Sequence, residues 1–273
     1  MEKTEKITFE HNSFGSRLKS MLSVDFRRLF TTRIFYIMVG IALVIPVLML
    51  VMSTSVGSSA AVDPAAGVEM VEERDPCTNV WQVVESIDGE DSGISTYMLS
   101  MCNINMLFFM AAILVCVFTT DDFTSGYSKN LFAVRSGKTD YVISKALVGI
   151  VSGAFMILAY LVGSVIGGAI AGLSFDAGVA GISGIVMCLV SKILLMAVFV
   201  PVALLWSVVG KQKLWLAIAG SFAISLLFFM IIPTLTPLNS GIFNVVICLI
   251  GGVLFSGGLG AVSSLILNKT SLV

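Results

Sequence analysis

Residues 121–145, DDFTSGYSKNLFAVRSGKTDYVISK, form a polar interval between two apolar runs, and the fold turns on what those runs are. The interval carries seven charges, four of them basic (Lys129, Arg135, Lys138 and Lys145), and is too short for a domain. The flanking segments, near 98–120 and 142–172, are each long enough for a membrane-spanning helix, which needs about 20 residues. Four more such runs lie near 34–53, 182–209, 213–232 and 242–267. Hydrophobic residues make up 57% of the 273 and charged residues 12%, about half the charged share of an average soluble domain. The expected fold is an all-α polytopic membrane protein with six transmembrane helices.

The expected organisation is a cytoplasmic tail and amphipathic helix over 1–33, then one six-helix domain over 34–273 with an external loop 54–97 and a cytoplasmic loop 121–141. "RRLFTTR" leads into a run long enough to cross the bilayer and without a small-residue cleavage site, so the first span is expected to be kept as an anchor. Seven Lys and Arg precede the first span, four lie between the second and third, two between the fourth and fifth, and one follows the sixth. By the positive-inside bias that side is cytoplasmic and holds both termini. The loop 54–97 is then external, with nine acidic residues (Asp63, Glu69, Glu72, Glu73, Asp75, Glu85, Asp88, Glu90 and Asp91) against Arg74 alone. A loop this acidic suits attraction of cationic peptides, or is simply tolerated outside. Nothing in the charge pattern points to nucleic acid.

Most catalytic chemistry is excluded. His11 is the one histidine and lies in the polar tail, and no glycine-rich stretch has the GxxxxGK[ST] spacing that cradles phosphate. Neither catalytic residues, a metal nor a cofactor is expected in this chain. Cys116, Cys188 and Cys248 read as small packing residues, whereas Cys77 and Cys102 both fall near the outer face, where a disulfide or two separate thiols are open readings.

Lys192 is the exception within the spans, about ten residues into the fourth run or roughly 15 Å deep. An intramembrane lysine marks a functional site by default; the competing reading is a lysine snorkelling to the outer interface. No acidic partner is visible near the midplane, which counts against ion-coupled secondary transport. Small residues four apart recur in the third span (Gly149/Gly153, Gly163/Gly167, Gly168/Gly172) and in "GGVLFSGGLG" of the sixth, a pattern that lets helix backbones approach closely. Pro46 and Pro201 are expected to kink helices, and "PTLTPLN" to make an outer turn or broken helix.

In residues 16–33, Leu18, Met21, Leu22, Phe26 and Leu29 fall on one helical face, with Lys19, Arg27 and Arg28 mostly elsewhere. This is a basic amphipathic helix suited to the inner leaflet. Asp25 interrupts the apolar stripe and pairs with Arg28 or faces a protein partner. Within the opening stretch, "SKNLFAV" is expected to form a short helix presenting Leu131, Phe132 and Val134, broken by "RSGKTD" at Gly137. Such a helix, with apolar knobs and basic flanks, is a docking element.

At these residues the chain resembles the ABC-2-type permeases, the membrane subunits of ABC exporters. The order of an acidic pair (Asp121, Asp122), Gly126, a Lys129-Asn130-Leu131 step, the turn Ser136-Gly137-Lys138 and Ser144-Lys145 entering the third span resembles the segment after their second span. Aspartates stand where glutamate is usual, Tyr127 where threonine often follows the glycine, and Lys138 where arginine is common. The resemblance implies two copies of this subunit, or one copy with a homologous permease, over two cytoplasmic ATPase subunits that bind ATP and Mg. It further implies that Gly126, Lys129, Asn130, Leu131, Phe132 and Lys138 couple to the ATPase, and that the helix bearing Leu18, Leu22, Phe26, Arg27 and Arg28 is the connecting helix. Asp121 and Asp122 are placed to pair with Arg27 or Arg28. The location implied is a plasma membrane, most simply a bacterial one. Two other classes stay open, an ion-coupled secondary transporter working through Lys192 and a non-transport sensor or scaffold.

Overall fold

The structure, a computed structural model, describes residues 14–59, 77–85, 103–134, 138–178 and 181–269. Arg135, Ser136, Gly137, Cys102, His11 and all the acidic residues of the loop 54–97 except Glu85 lie outside them, so the break at Gly137 and the Cys77–Cys102 pairing do too. Among the described residues the architecture is helical. The helices are α1 (Phe14–Thr31), α2 (Arg33–Ser59), α3 (Leu107–Thr124), α4 (Tyr127–Val134), α5 (Lys138–Ala171), α6 (Gly181–Gly210), α7 (Leu214–Phe229), α8 (Ile232–Leu235) and α9 (Ile242–Lys269). Two short 3-10 turns, Val80–Val83 and Ile104–Met106, precede α3.

Five helical segments are long and apolar enough to cross a membrane: Arg33–Thr54, Ile104–Thr124, Lys138–Ala171, Gly181–Gly210 and Ile242–Lys269. The expected fifth span is shorter than the sequence suggested. Its helix, α7, has 16 residues, about 24 Å, and stops at Phe229. Pro233 explains the stop, because its ring clashes with the carbonyl four residues back and it has no N–H to give that carbonyl. The chain turns at Met230–Ile231 and Pro233 opens α8.

α3 and α6 form the centre, the most buried of the crossing helices, and α2 and α9 the least buried edges. α2 lies along α5, α9 lies along α6, and α1 packs across α5. The glycines of α5 make these approaches close. A Cβ at Gly149 would come within 2.7 Å of Val200 and one at Gly153 within 2.8 Å of Met196, both on α6. A Cβ at Gly163 would collide with the Leu43 carbonyl, and one at Gly167 would meet Val47 Cα at 2.8 Å, so the same helix is cut back towards α2. On α9, Ser256 donates to the Ala197 carbonyl of α6 at 2.7 Å. The small-residue spacing of α5 thus serves packing within this chain.

Candidate functional site

Two buried polar clusters stand at the two ends of α3, separated by the 17 residues from Asn105 to Asp122, about 25 Å of helix. The first joins α1, α3 and α5. Asp25, at the middle of the buried face of α1, is fully buried along with Asp122 at the end of α3, and Lys145 is 2% exposed. Lys145 Nζ reaches Asp25 Oδ1 at 3.0 Å and Asp122 Oδ2 at 2.7 Å. Ser144 donates to Asp25 Oδ2 at 2.6 Å, and the Tyr141 hydroxyl donates to Asp122 Oδ2 at 3.0 Å. Arg28 closes the cluster, with Nη1 at 2.6 Å from Asp122 Oδ1 as an ion pair not aligned as a hydrogen bond, and Nη2 at 3.8 Å from exposed Asp121. Two carboxylates and two cations balance within it.

The aromatic faces fit this charge. Lys145 Nζ stands 3.9 Å from the centre of the Phe118 ring, and the Arg28 guanidinium 4.4 Å from that of Tyr127, where ring quadrupoles favour a cation. Burial alone lowers the Arg28 pKa, but the Asp122 carboxylate, with Asp25 behind it, outweighs this and leaves it above its ordinary value. Burial, then the charge of Asp25, pushes the Tyr127 phenol up, with Arg28 opposing, so the ring it offers Arg28 stays neutral. Asp25, which looked like a flaw in the apolar stripe, is therefore the anchor of α1. The stripe itself packs as its spacing suggested: Met21 and Leu29 are buried, Leu18, Leu22 and Phe26 half-buried, and Arg27 is exposed. Its apolar face lies on α5 and its neighbours in the protein, while Phe14, Val24 and Phe30 stay exposed.

The short helix expected in the opening stretch forms as α4, but Leu131 and Phe132 turn inward, and the Val134 side chain lies outside what the structure describes. Leu131 and Phe132 are half-buried against the Tyr141 and Phe123 core, with the rings of Phe132 and Tyr141 edge to face at 5.3 Å. Their packing partners belong to this chain, which corrects the expectation of exposed knobs. The face left outside carries Lys129, Asn130 and Ala133. Gly126 takes φ +75° at the turn into α4, a left-handed backbone that favours glycine. Lys138 is likewise occupied, donating at 2.6 Å to the Leu267 carbonyl in the last turn of α9. Its neighbour Asp140 pairs with Arg17 of α1 at 3.5 Å.

The second cluster is built on Lys192, which is fully buried. Its ammonium donates to Glu85 Oε2 and Asn105 Oδ1, each at 2.7 Å, and to Thr236 Oγ1 at 3.1 Å, using all three protons. Asn105 Nδ2 also donates to Glu85 Oε2 at 3.2 Å. Glu85 reaches the bundle on a strap, Cys77–Glu85, whose turn is capped by Asn79 and Gln82. Val80 N–H and the Ser174 carbonyl bond at 3.0 Å, the Trp81 indole donates to Phe175 and Asn79 to Asp176, while Tyr160 donates to the Val83 carbonyl. Cys77 is buried at the start of the strap. The acidic partner of Lys192 escaped the sequence reading because it comes from the loop rather than from a span.

Among the described residues no group of three His, Cys, Asp or Glu could hold a metal ion. No family model, no curated protein and no solved structure matches the chain.

Proposed function

We propose that the chain is the six-helix transmembrane subunit of an ATP-driven exporter of the ABC-2 type, coupled at its α1 end to separate cytoplasmic ATPase subunits. In this reading α7 with α8 completes the sixth crossing, both termini are cytoplasmic in a bacterial plasma membrane, and a second permease copy completes the path. Cargo of the peptide class, or immunity to one, suits the acidic external loop. The observation that carries the reading is the Asp25–Lys145–Asp122–Arg28 cluster. It fastens the amphipathic helix to the ends of two crossing helices beside α4, so a push on α4 reaches the bundle through buried ion pairs instead of a slack loop. Docking uses Lys129, Asn130 and Ala133, the exposed face of α4.

The test is co-purification of ATPase candidates from the source cell with wild type and with Lys129→Glu/Asn130→Glu. An ATPase retained by wild type and lost from an equally stable variant supports the reading, and no ATPase with wild type sinks it. The Leu131 and Phe132 positions are unsuited to this, because changing them disturbs the chain's own core.

A second reading, ion-coupled transport, is favoured by the buried Lys192–Glu85 pair, the type of intramembrane ionisable pair that ion pathways use. Gradient-driven flux without nucleotide, lost in Lys192→Met, is what it requires.

A further inference from the structure

The Lys192 cluster has the composition of a carboxylate receptor. One oxygen, Glu85 Oε2, receives both the Lys192 ammonium at 2.7 Å and the Asn105 amide N–H at 3.2 Å. Asn105 has two tasks, because its carbonyl also accepts from the ammonium and so aims the charge. Its own backbone is set by the turn at Asn103, whose side chain accepts from the Asn105 N–H at 2.9 Å. Thr236 takes the third ammonium proton and donates its own to the Ile232 carbonyl, which leaves it an acceptor toward Lys192. Thr236 and the backbone of Asn105 are thus held by bonds that do not involve Glu85, while the Asn105 side-chain amide is shared between Lys192 and Glu85.

Glu85 differs from the other two partners in where it comes from. Asn105 stands at the entry to α3 and Thr236 at the exit from α8, each continuous with the bundle. Glu85 is the last described residue of the strap, whose described hydrogen bonds run to residues 174–176 and to Tyr160 of α5. That neighbouring loop is bounded by Gly172 and Gly178, both at positive φ (68° and 53°), the residues best able to absorb a change in backbone direction. Val80, Val83 and Val84 of the strap are buried in the core against α5, so releasing Glu85 means lifting the strap and this loop together.

We propose that Lys192, Asn105 and Thr236 form a binding site for the carboxylate of an external solute, and that Glu85 fills this seat in the present structure as a tethered substitute. The strap then acts as the lid of the site. This goes beyond the exporter reading and does not depend on it, since no ATPase enters the argument.

The experiment uses the purified full-length chain in nanodiscs, with acetate as the probe and chloride at matched ionic strength as the control, at pH 7. Glu85→Ala removes the tethered carboxylate and lowers the unfolding temperature. Acetate is expected to restore much of the loss with saturation at about millimolar concentration, the range a four-atom ligand can reach, and to do nothing for Glu85→Ala/Lys192→Met. Equal effects of acetate and chloride, or an equal effect in the double variant, would overturn the proposal.

Should Glu85→Ala fail to fold, Glu85→Gln keeps the side-chain volume and Cys188 becomes the reporter. Cys188 is fully buried with its Sγ 3.3 Å from the Thr236 carbonyl. Peptide-resolved alkylation of Cys188 is expected to run at least roughly tenfold faster than in wild type, the ratio that about 1.4 kcal/mol of lost lid closure produces, with acetate slowing it and Cys116 staying protected. Cys188 protected as in wild type, no slowing by acetate, or Cys116 reacting in step as the whole chain opens, each overturns it.

Discussion

Both ends of α3 bury a lysine, yet the two ends are built differently. At the α1 end every partner of Lys145 sits on a long helix, and two carboxylates, two cations, a serine and a tyrosine share the charge. At the other end Lys192 is met by groups from a strap, a turn and the end of a four-residue helix. The first cluster is fixed several times over and loses one contact without losing its geometry. The second gathers three separate segments on a single nitrogen, so its geometry stands or falls with one charge pair. A buried ion pair is costly to break from one side and cheap to replace as a whole, and the two ends should answer that rule differently.

The largest effect is expected from Lys145→Met. It leaves Asp25 and Asp122 buried with Arg28 alone between them, and chemical denaturation in detergent should register a loss of about 3–5 kcal/mol. A loss of under about 1 kcal/mol would break the comparison, since the cluster would then hold α1 without its central cation. Lys192→Met should cost a similar amount, but adding Glu85→Leu should return most of it, with the double variant within about 1.5 kcal/mol of wild type and a large coupling in the double-mutant cycle. Failure of that rescue would mean that the Lys192 pair is embedded as deeply as the Lys145 cluster.

Smaller effects test the backbone on each side. Gly168→Ala drives a methyl into Val80 under the strap and should cost about 1–3 kcal/mol while raising alkylation of Cys188. Gly126→Ala has open space around it but must hold φ +75°, so about 1–2 kcal/mol is expected, with Cys188 unaffected. Lys129→Glu, on the exposed face of α4, should leave the unfolding curve unchanged and alter partner capture alone.

Much of the fold was written in apolar run length, because a helix that crosses lipid must be continuous and uninterrupted in its hydropathy. Five runs reappear as long helices, four of them within a few residues of their expected limits, while the start expected at 98 lies outside the described residues. The expected fifth span was misjudged in length because hydropathy ignores the N–H that Pro233 lacks. The sites were less legible, for a reason each residue illustrates. Asp25 carried a signal, a charge in the middle of a buried stripe, and Lys145 stood at the edge of a span beside Ser144. Their pairing needed α1 to lie across α5, which no local pattern encodes. Glu85 was one of nine acids in an acidic loop, and only the folded strap distinguishes it. Leu131 and Phe132 had an apolar pattern that fits a partner's groove and the chain's own core equally well, and the core took them.

The first turn of α5 receives the chain from both directions: Asp140 meets Arg17 near its beginning, and Lys138 meets the Leu267 carbonyl, 129 residues further on. During synthesis the first of these contacts can form as soon as α5 emerges, but the second must wait until α9 has been made and inserted. Until then the Lys138 ammonium lacks its acceptor and the Tyr141 core lacks Leu267. A chain that stops before Leu267 would thus keep every earlier helix and still present an unfinished junction at the first turn of α5.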